Sequence, residues 1–361
     1  MRGDDAVAAI DEIFKIIKEQ GASDLHMASG SPPMLRIGND LQAIEYDRLT
    51  PELNRKLLYE LMTPTQVAAF ERDKEIDFAH EIPGVVRLRC NIFEQRNGIA
   101  AVFRLIPTEI RTAEQLGLPE TILRFCDLDR GLVVVTGATG SGKSTTLAAM
   151  IDWINDHDRG HIVTIEDPVE FVHPNKKCLV NQREVGGTTK SFTAALKSAL
   201  REDPDVILVG EMRDLETIKL AITAAETGHL VFGTLHTNSA ASTVDRIIDV
   251  FPADQQQQIR VMLAESLKGV VAQRLLRRKG GKGRAAAFEI LKVTPAISNM
   301  IREGKTFQIG SAIQIGRKDG MVSMDQSLNE LVSKGVVEAA EAAPHASSPS
   351  SILRTGETVR A

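Results

Sequence analysis

Apolar residues recur along the first hundred positions with two different periods. Within residues 5–20, Ile10, Ile13, Phe14 and Ile17 fall at i, i+3, i+4 and i+7, the stripe of an amphipathic helix, and Gly21 supplies its stop. Shorter stretches at residues 34–37 and 41–46 read as strands. Thr50-Pro51-Glu52 and Thr63-Pro64 each set a hydroxyl before a proline, so a capped helix is expected to begin at both places. Residues 85–94 and 99–106 read as two longer strands, joined by a turn containing Asn97-Gly98, a hairpin signal. Residues 1–106 are therefore expected to form a small α+β domain, with His26 as a structural histidine.

Beyond a polar linker at residues 107–118, which starts at Pro107 and is followed by Pro119, the pattern changes. Apolar residues now come in unbroken blocks at 132–135, 162–165, 206–209 and 230–232, each flanked by helical stretches. Blocks of this kind suit strands covered on both faces, and their alternation with helices predicts an α/β domain with a parallel sheet over residues 119–337. Ligands of such sheets bind just outside the carboxyl ends of the strands. From Glu338 the chain is rich in Ala, Ser, Pro and Glu, and residues 338–361 are expected to be a disordered tail.

Composition narrows the choice of chemistry. With 361 residues there is room for two cores, and a formal net charge of −5 gives no general attraction to nucleic acid. Cys90, Cys126 and Cys178 are too scattered for a disulfide framework or a zinc site; they are expected to be buried reduced thiols, which points to the cytoplasm. The sequence has no run of 18 apolar residues and no signal-peptide core, so any membrane association is expected to be peripheral. Arg274, Arg277, Arg278, Lys279, Lys282 and Arg284, interrupted by glycines, invite a nucleic-acid reading. No aromatic residue interleaves with them for stacking, so a solvated loop and no nucleic-acid partner are expected.

The chemistry-bearing residues follow the apolar blocks. After the first stand Gly137, Ala138, Thr139, Gly140, Ser141, Gly142, Lys143 and Ser144, a Walker A pattern, with Thr145 continuing into a helix. Glycines let backbone N–H groups curl around phosphates, the lysine reaches the β and γ phosphates, and the hydroxyl of Ser144 binds Mg²⁺. ATP and Mg²⁺ are the ligands this predicts. The second block ends in Glu166-Asp167-Pro168-Val169-Glu170, where Glu166 and Glu170 are candidates for orienting water or serving the metal. The third ends in Gly210-Glu211, with glycine where many such ATPases have aspartate, so Glu211 is expected to hold Mg²⁺ and to assist with water. Asp205 precedes that block and is expected to cap or pair locally. The fourth runs between His229 and His236; His236 lies at the carboxyl end, suited to sensing the γ phosphate, while a buried structural role explains His229 nearly as well.

Together the Walker A loop, the acidic box Glu166 to Glu170, Gly210-Glu211-Met212-Arg213-Asp214 and the histidine box from Gly228-His229 to His236-Thr237-Asn238 closely resemble the secretion ATPase superfamily. Within it they are most similar to the motors of type IV pilus retraction, which drive twitching motility, and the likeness extends over nearly the whole chain. Ala296-Ile297-Ser298-Asn299-Met300-Ile301-Arg302-Glu303 resembles an element associated with retraction, but departs from it at Ser298 and Met300. The resemblance implies a PAS-like amino-terminal domain followed by a RecA-like ATPase domain, assembled as a homohexameric ring. It further implies work on an inner-membrane platform protein, and through it on pilin, from the cytoplasmic face of the membrane. It places the nucleotide between subunits, so Arg87 and Arg104, from an arginine set that includes Arg89 and Arg96, become candidate fingers acting on a neighbour's nucleotide.

Overall fold

The computed structural model describes residues 9–38, 40–82, 85–106, 109–281 and 283–352. The chain divides into two compact units, Met1–Glu109 with Pro168–Val172, and Ile110–Asp167 with His173–Ala361.

The first unit is α1 (Ala9–Glu19), β1 (Asp24–Ala28), β2 (Met34–Ile37), β3 (Asp40–Ala43), α2 (Pro51–Leu61), α3 (Pro64–Asp73), β4 (Glu75–Ile82), β5 (Val86–Gln95) and β6 (Gly98–Ile106). The strands form one antiparallel sheet in the order β3-β2-β1-β6-β5-β4. As the pattern predicts, Ile10, Ile13, Phe14 and Ile17 are buried together, in a core shared with Leu25, Leu57, Phe70, Leu88 and Phe103. The threonine caps form too: Thr50 Oγ1 accepts from Leu53 N, and Thr63 makes a reciprocal box with Gln66. Two strands, β1 and β4, appear where the sequence reading had no strand.

The second unit contains α4 (Ala113–Leu116), α5 (Glu120–Arg124), β7 (Gly131–Thr136), α6 (Lys143–His157), β8 (His161–Glu166), β9 (Leu179–Glu184), α7 (Phe192–Ala199), β10 (Val206–Val209), α8 (Leu215–Glu226) and β11 (Leu230–Leu235). It continues with α9 (Ala240–Asp249), α10 (Ala253–Ser266), β12 (Leu267–Arg277), β13 (Arg284–Lys292), α11 (Pro295–Arg302), α12 (Ile309–Ile315), α13 (Met324–Ser333) and α14 (Ala339–Ala342). Its seven-stranded sheet has the order β13-β12-β7-β11-β10-β8-β9, parallel except for β13. Both faces are covered. Along β7, Leu132 and Val134 enter a core with α8, α9 and α10, while Val133 and Val135 enter another with α5 and α6. This is why the sequence shows unbroken apolar runs rather than alternation. In α11, Ile297 and Ile301 are buried, and the Ser298 hydroxyl donates to the Ala264 carbonyl at 2.6 Å.

The structure departs from the sequence pattern in two places. The basic cluster is not one loop: Arg274 and Arg277 lie in β12 and Arg284 starts β13, so only the connecting turn is loop; Lys282 lies outside the described residues. The tail is not disordered from Glu338. Ala342 and Ile352 are buried with Leu276, Ala285, Leu328 and Val332, Glu341 accepts from Arg277 N, and Ser347 N donates to Asp325. Its small apolar residues fill a groove that a composition count cannot see. Residues 353–361 of that tail, like Pro107 in the linker, lie outside the described residues. The three cysteines are free and buried, and burial pushes their thiols up, which keeps them unreactive.

Removal of residues 338–361 is therefore expected to lower the thermal midpoint of this unit by roughly 5 °C, from the ~2 kcal/mol of apolar burial lost with Ile352 and Ala342. Differential scanning calorimetry checks it; an unchanged midpoint would mean that the segment adds no stability.

Candidate active site

Parallel pairing in register brings several loops to one edge of the second unit's sheet. Gly233 on β11 stands beside both Val134 on β7 and Val209 on β10, and Val209 in turn beside Ile165 on β8. The residues that follow these strands emerge together.

Between Thr136 and α6 the chain needs glycine on steric grounds. Gly137, Gly140 and Gly142 have φ of 146°, 78° and 88°, and a Cβ on Gly137 would stand 2.4 Å from the Gln273 carbonyl oxygen. Gly142 begins α6 without a side-chain cap, so the helix presents uncapped N–H groups of the kind that bind anions. Ser141 is 6% exposed and its buried hydroxyl has no hydrogen-bond partner among the described residues. Ala138, Thr139 and Gly140 are exposed; Ser144 and Thr145 are half-buried. An orphaned hydroxyl, an uncapped helix start and a nearby ammonium fit a phosphate chain.

That ammonium belongs to Lys143, which is 8% exposed. Its Nζ donates to the carbonyls of Gly137 at 2.8 Å and Ala138 at 3.3 Å, and lies 3.4 Å from His236 Nδ1. The other ring nitrogen of His236 is 2.9 Å from Glu211 Oε1, and Arg213 Nε is 2.5 Å from the same oxygen. Lys143, His236, Glu211 and Arg213 thus form one continuous polar chain across the ends of β7, β11 and β10. Burial pushes the Glu211 carboxyl up, but the hydrogen bond and charge of Arg213, with His236, outweigh it and hold the group below the usual carboxylate range. Glu211 is therefore an ionised acceptor at neutral pH.

A second set of contacts fastens the loops to each other. Thr136 Oγ1 accepts from Thr237 N at 2.9 Å and lies 2.7 Å from the Thr237 hydroxyl, which is 2.6 Å from that of Thr243 on α9.

The other expected residues divide clearly. Glu166 lies at the end of β8, where its carboxylate accepts from Thr164 Oγ1 at 2.6 Å and from Gln182 Nε2 at 3.3 Å. Glu170 is exposed and belongs with the first unit. Asp205 pairs locally, accepting from His161 N at 2.8 Å. His229 is not beside the loop of its own chain: it precedes β11, its Nδ1 lies 2.9 Å from the Ala224 carbonyl, and six strand residues separate it from His236, about 20 Å. In the first unit, Arg87 pairs with Glu81 at 2.9 Å and Arg104 with Asp24 at 2.8 Å. Gly210 is more than a missing carboxylate, since a Cβ there would be 3.0 Å from the Ile165 carbonyl oxygen and 3.2 Å from Glu166 Cα.

Arg213 is the site residue that the sequence reading passed over. It stands two residues from Glu211 in a non-helical segment, a spacing that can bring two side chains to one side, and this was the available signal.

Comparison with known proteins gives the family of the whole chain. Residues 4–343 match the family model described as Type II/IV secretion system protein. The chain is 55% identical to the type IV pilus retraction ATPase PilT of Pseudomonas aeruginosa over 340 residues, 94% of this chain and 98% of that protein. It is 53% identical to a twitching motility protein of Neisseria gonorrhoeae over 305 residues, 84% of this chain and 82% of the relative. A crystal structure of the pilus retraction motor PilT with bound ADP superimposes with a TM-score of 0.88 at 48% identity, covering 94% of this chain and 98% of that one. The second unit is accordingly a RecA-like ATPase domain.

Substituting Glu211→Gln keeps the shape and removes the charge that Arg213 and His236 share. Phosphate release is expected to fall ~10²-fold or more, with ADP affinity changed only a few-fold. Wild-type turnover in this variant would exclude Glu211 from the reaction.

Proposed function

The chain belongs to the type II/IV secretion system protein family, and from that premise we propose that it is the motor ATPase of type IV pilus retraction, hydrolysing ATP to draw pilin back toward the membrane. The observation that carries the reading is the polar chain from Lys143 through His236 to Glu211 and Arg213, set at the strand ends beside an uncapped helix start. It joins a phosphate-binding cation to a carboxylate, as ATP hydrolysis requires.

In this reading Lys143 leaves the carbonyls of Gly137 and Ala138 for the β and γ phosphate oxygens of ATP, and the N–H groups of the loop enclose the rest of the chain. Ser144 and Glu211 would hold Mg²⁺, with Glu166 as a further carboxylate for metal or water; the ion would offset charge on the phosphates. Glu211, kept ionised, orients the attacking water. His236 contacts both Lys143 and Glu211, so loss of the γ phosphate is felt at once by both of its ring nitrogens. Thr237, the next residue, carries the shift to Thr136 and, through Thr243, to α9. Local movement becomes movement of a helix.

The protein acts as a homohexameric ring on the cytoplasmic face of the inner membrane, against a platform protein and thereby on pilin. No helix among the described residues is long and apolar enough to cross a membrane, which suits a motor that docks rather than inserts. An arginine from a neighbouring subunit completes the site. Arg104 is favoured over Arg87: only its Nε is engaged, by Asp24, and its side chain is 69% exposed against 15%. Its remaining nitrogens can reach a phosphate while Asp24 keeps its partner.

The Lys143→Ala variant of the full chain is expected to lose ATP turnover, and in a host lacking the native gene it should fail to restore pilus retraction that the wild-type chain restores. Phosphate-release assays and imaging of labelled pili provide the readouts. Full turnover by the variant would remove the loop from the chemistry, whereas turnover without any effect on pili would leave an ATPase with a different task.

A further inference from the structure

Gln273 lies where β12 runs alongside the phosphate loop. Ala272 pairs with Thr136, the last residue of β7, so Gln273 stands level with Gly137. It follows the buried apolar residues Val270, Val271 and Ala272, yet it is itself only 3% exposed. A glutamine so deeply buried is costly unless its amide finds partners. The partner is found on the helix that the loop feeds: Gln273 Oε1 accepts from Thr146 Oγ1 at 2.8 Å.

The same residue also bounds both ends of the glycine loop. Its carbonyl oxygen would be 2.4 Å from a Cβ on Gly137, and its Nε2 would be 2.9 Å from a Cβ on Gly142. Leu275, two residues on, closes the Gly142 side at 3.3 Å. One strand residue therefore touches the beginning of the loop, its end and the first turn of α6.

We propose that Gln273 is a positioning residue for the phosphate loop, fixing the distance between Gly137 and Gly142 and the rotation of α6, so that the loop N–H groups converge on one phosphate chain. It touches no reacting atom and acts through Thr146 and the two glycines. The assignment deepens the ATPase reading and rests on it. A leucine of similar size would fill the same volume; what it would lack is the grip on Thr146.

The experiment uses Gln273→Leu, Thr146→Val and the double variant of the full chain, with a fluorescent ADP analogue for affinity and ATP for turnover. Thr146→Val is nearly isosteric and removes the donor alone, so it carries the test should Gln273→Leu fold poorly. Each single change is expected to raise the Kd for ADP and the KM for ATP about tenfold with kcat within about threefold, and the double variant to be no worse than the worse single one. Thr146→Val with Kd and KM within about twofold of wild type would overturn the proposal, as would additive effects in the double variant. A fall in kcat at unchanged KM would also overturn it, since the residue would then act on the transition state or on the fraction of active protein and not on nucleotide binding. If the wild-type chain itself bound no ADP, the nucleotide reading would fail and this assignment with it.

Discussion

Hydrogen-bond register between parallel strands decides where the chemistry of this protein sits. β7, β11, β10 and β8 are paired so that their carboxyl ends reach the same line. A slip of one residue in any pair would move the loop behind it by about 3.3 Å and turn its side chains to the other face of the sheet. The buried alternation along β7 prevents such a slip, because Leu132 and Val134 belong to one core and Val133 and Val135 to the other. The apolar blocks thus do more than stabilise the second unit. They place Lys143 and Glu211, which lie far apart in sequence, each within hydrogen-bond reach of His236.

Electrostatics then sets the character of what has been gathered. Lys143 and Arg213 lie at the two ends of a chain whose middle is the carboxylate of Glu211 and the imidazole of His236. Burial opposes the charge on Glu211, and its neighbours more than offset that cost. A carboxylate bound in this way can exchange partners without leaving charge unpaired. If Lys143 turned toward phosphate, as proposed, Glu211 would keep both of its partners, His236 and Arg213. The threonine hydroxyls of Thr136, Thr237 and Thr243 run beside this chain, and they tie the phosphate strand to a helix that makes no direct contact with nucleotide in the proposed scheme.

Much of this was legible in the amino-acid sequence because it is encoded locally. The glycine loop, the blocks that precede each carboxylate and the stripe in α1 are all short-range patterns. What was hidden depends on distant neighbours. In the first unit β1 pairs with the distant β6, whereas β4 pairs with its immediate successor β5 but is an edge strand of exposed and half-buried residues with little apolar signal, and β12 and β13 were obscured by the arginines and glycines of the turn between them. The tail reads as disordered from its alanines and serines, yet Ala342 and Ile352 fit a groove lined by residues up to 76 positions earlier, Leu276 among them. His229 and His236 look alike in sequence, and only the direction of β11 separates them. Gln273 gives no local sign at all, since its task is defined by Thr146, 127 residues away.

Gly210 bears on how such a site changes over time. Aspartate is absent there, and a side chain would be tight, because a Cβ would stand 3.0 Å from the Ile165 carbonyl oxygen and 3.2 Å from Glu166 Cα, so that β8 would have to give by a few tenths of an ångström. The contact is with backbone, which cannot rotate aside. An acid introduced here would therefore have to displace the backbone of β8 slightly before its charge could be of use. Strand spacing and the proposed role of Glu211 are in that sense linked: a second carboxylate at this position would call for a change in the distance between β8 and β10 as well as a change of residue.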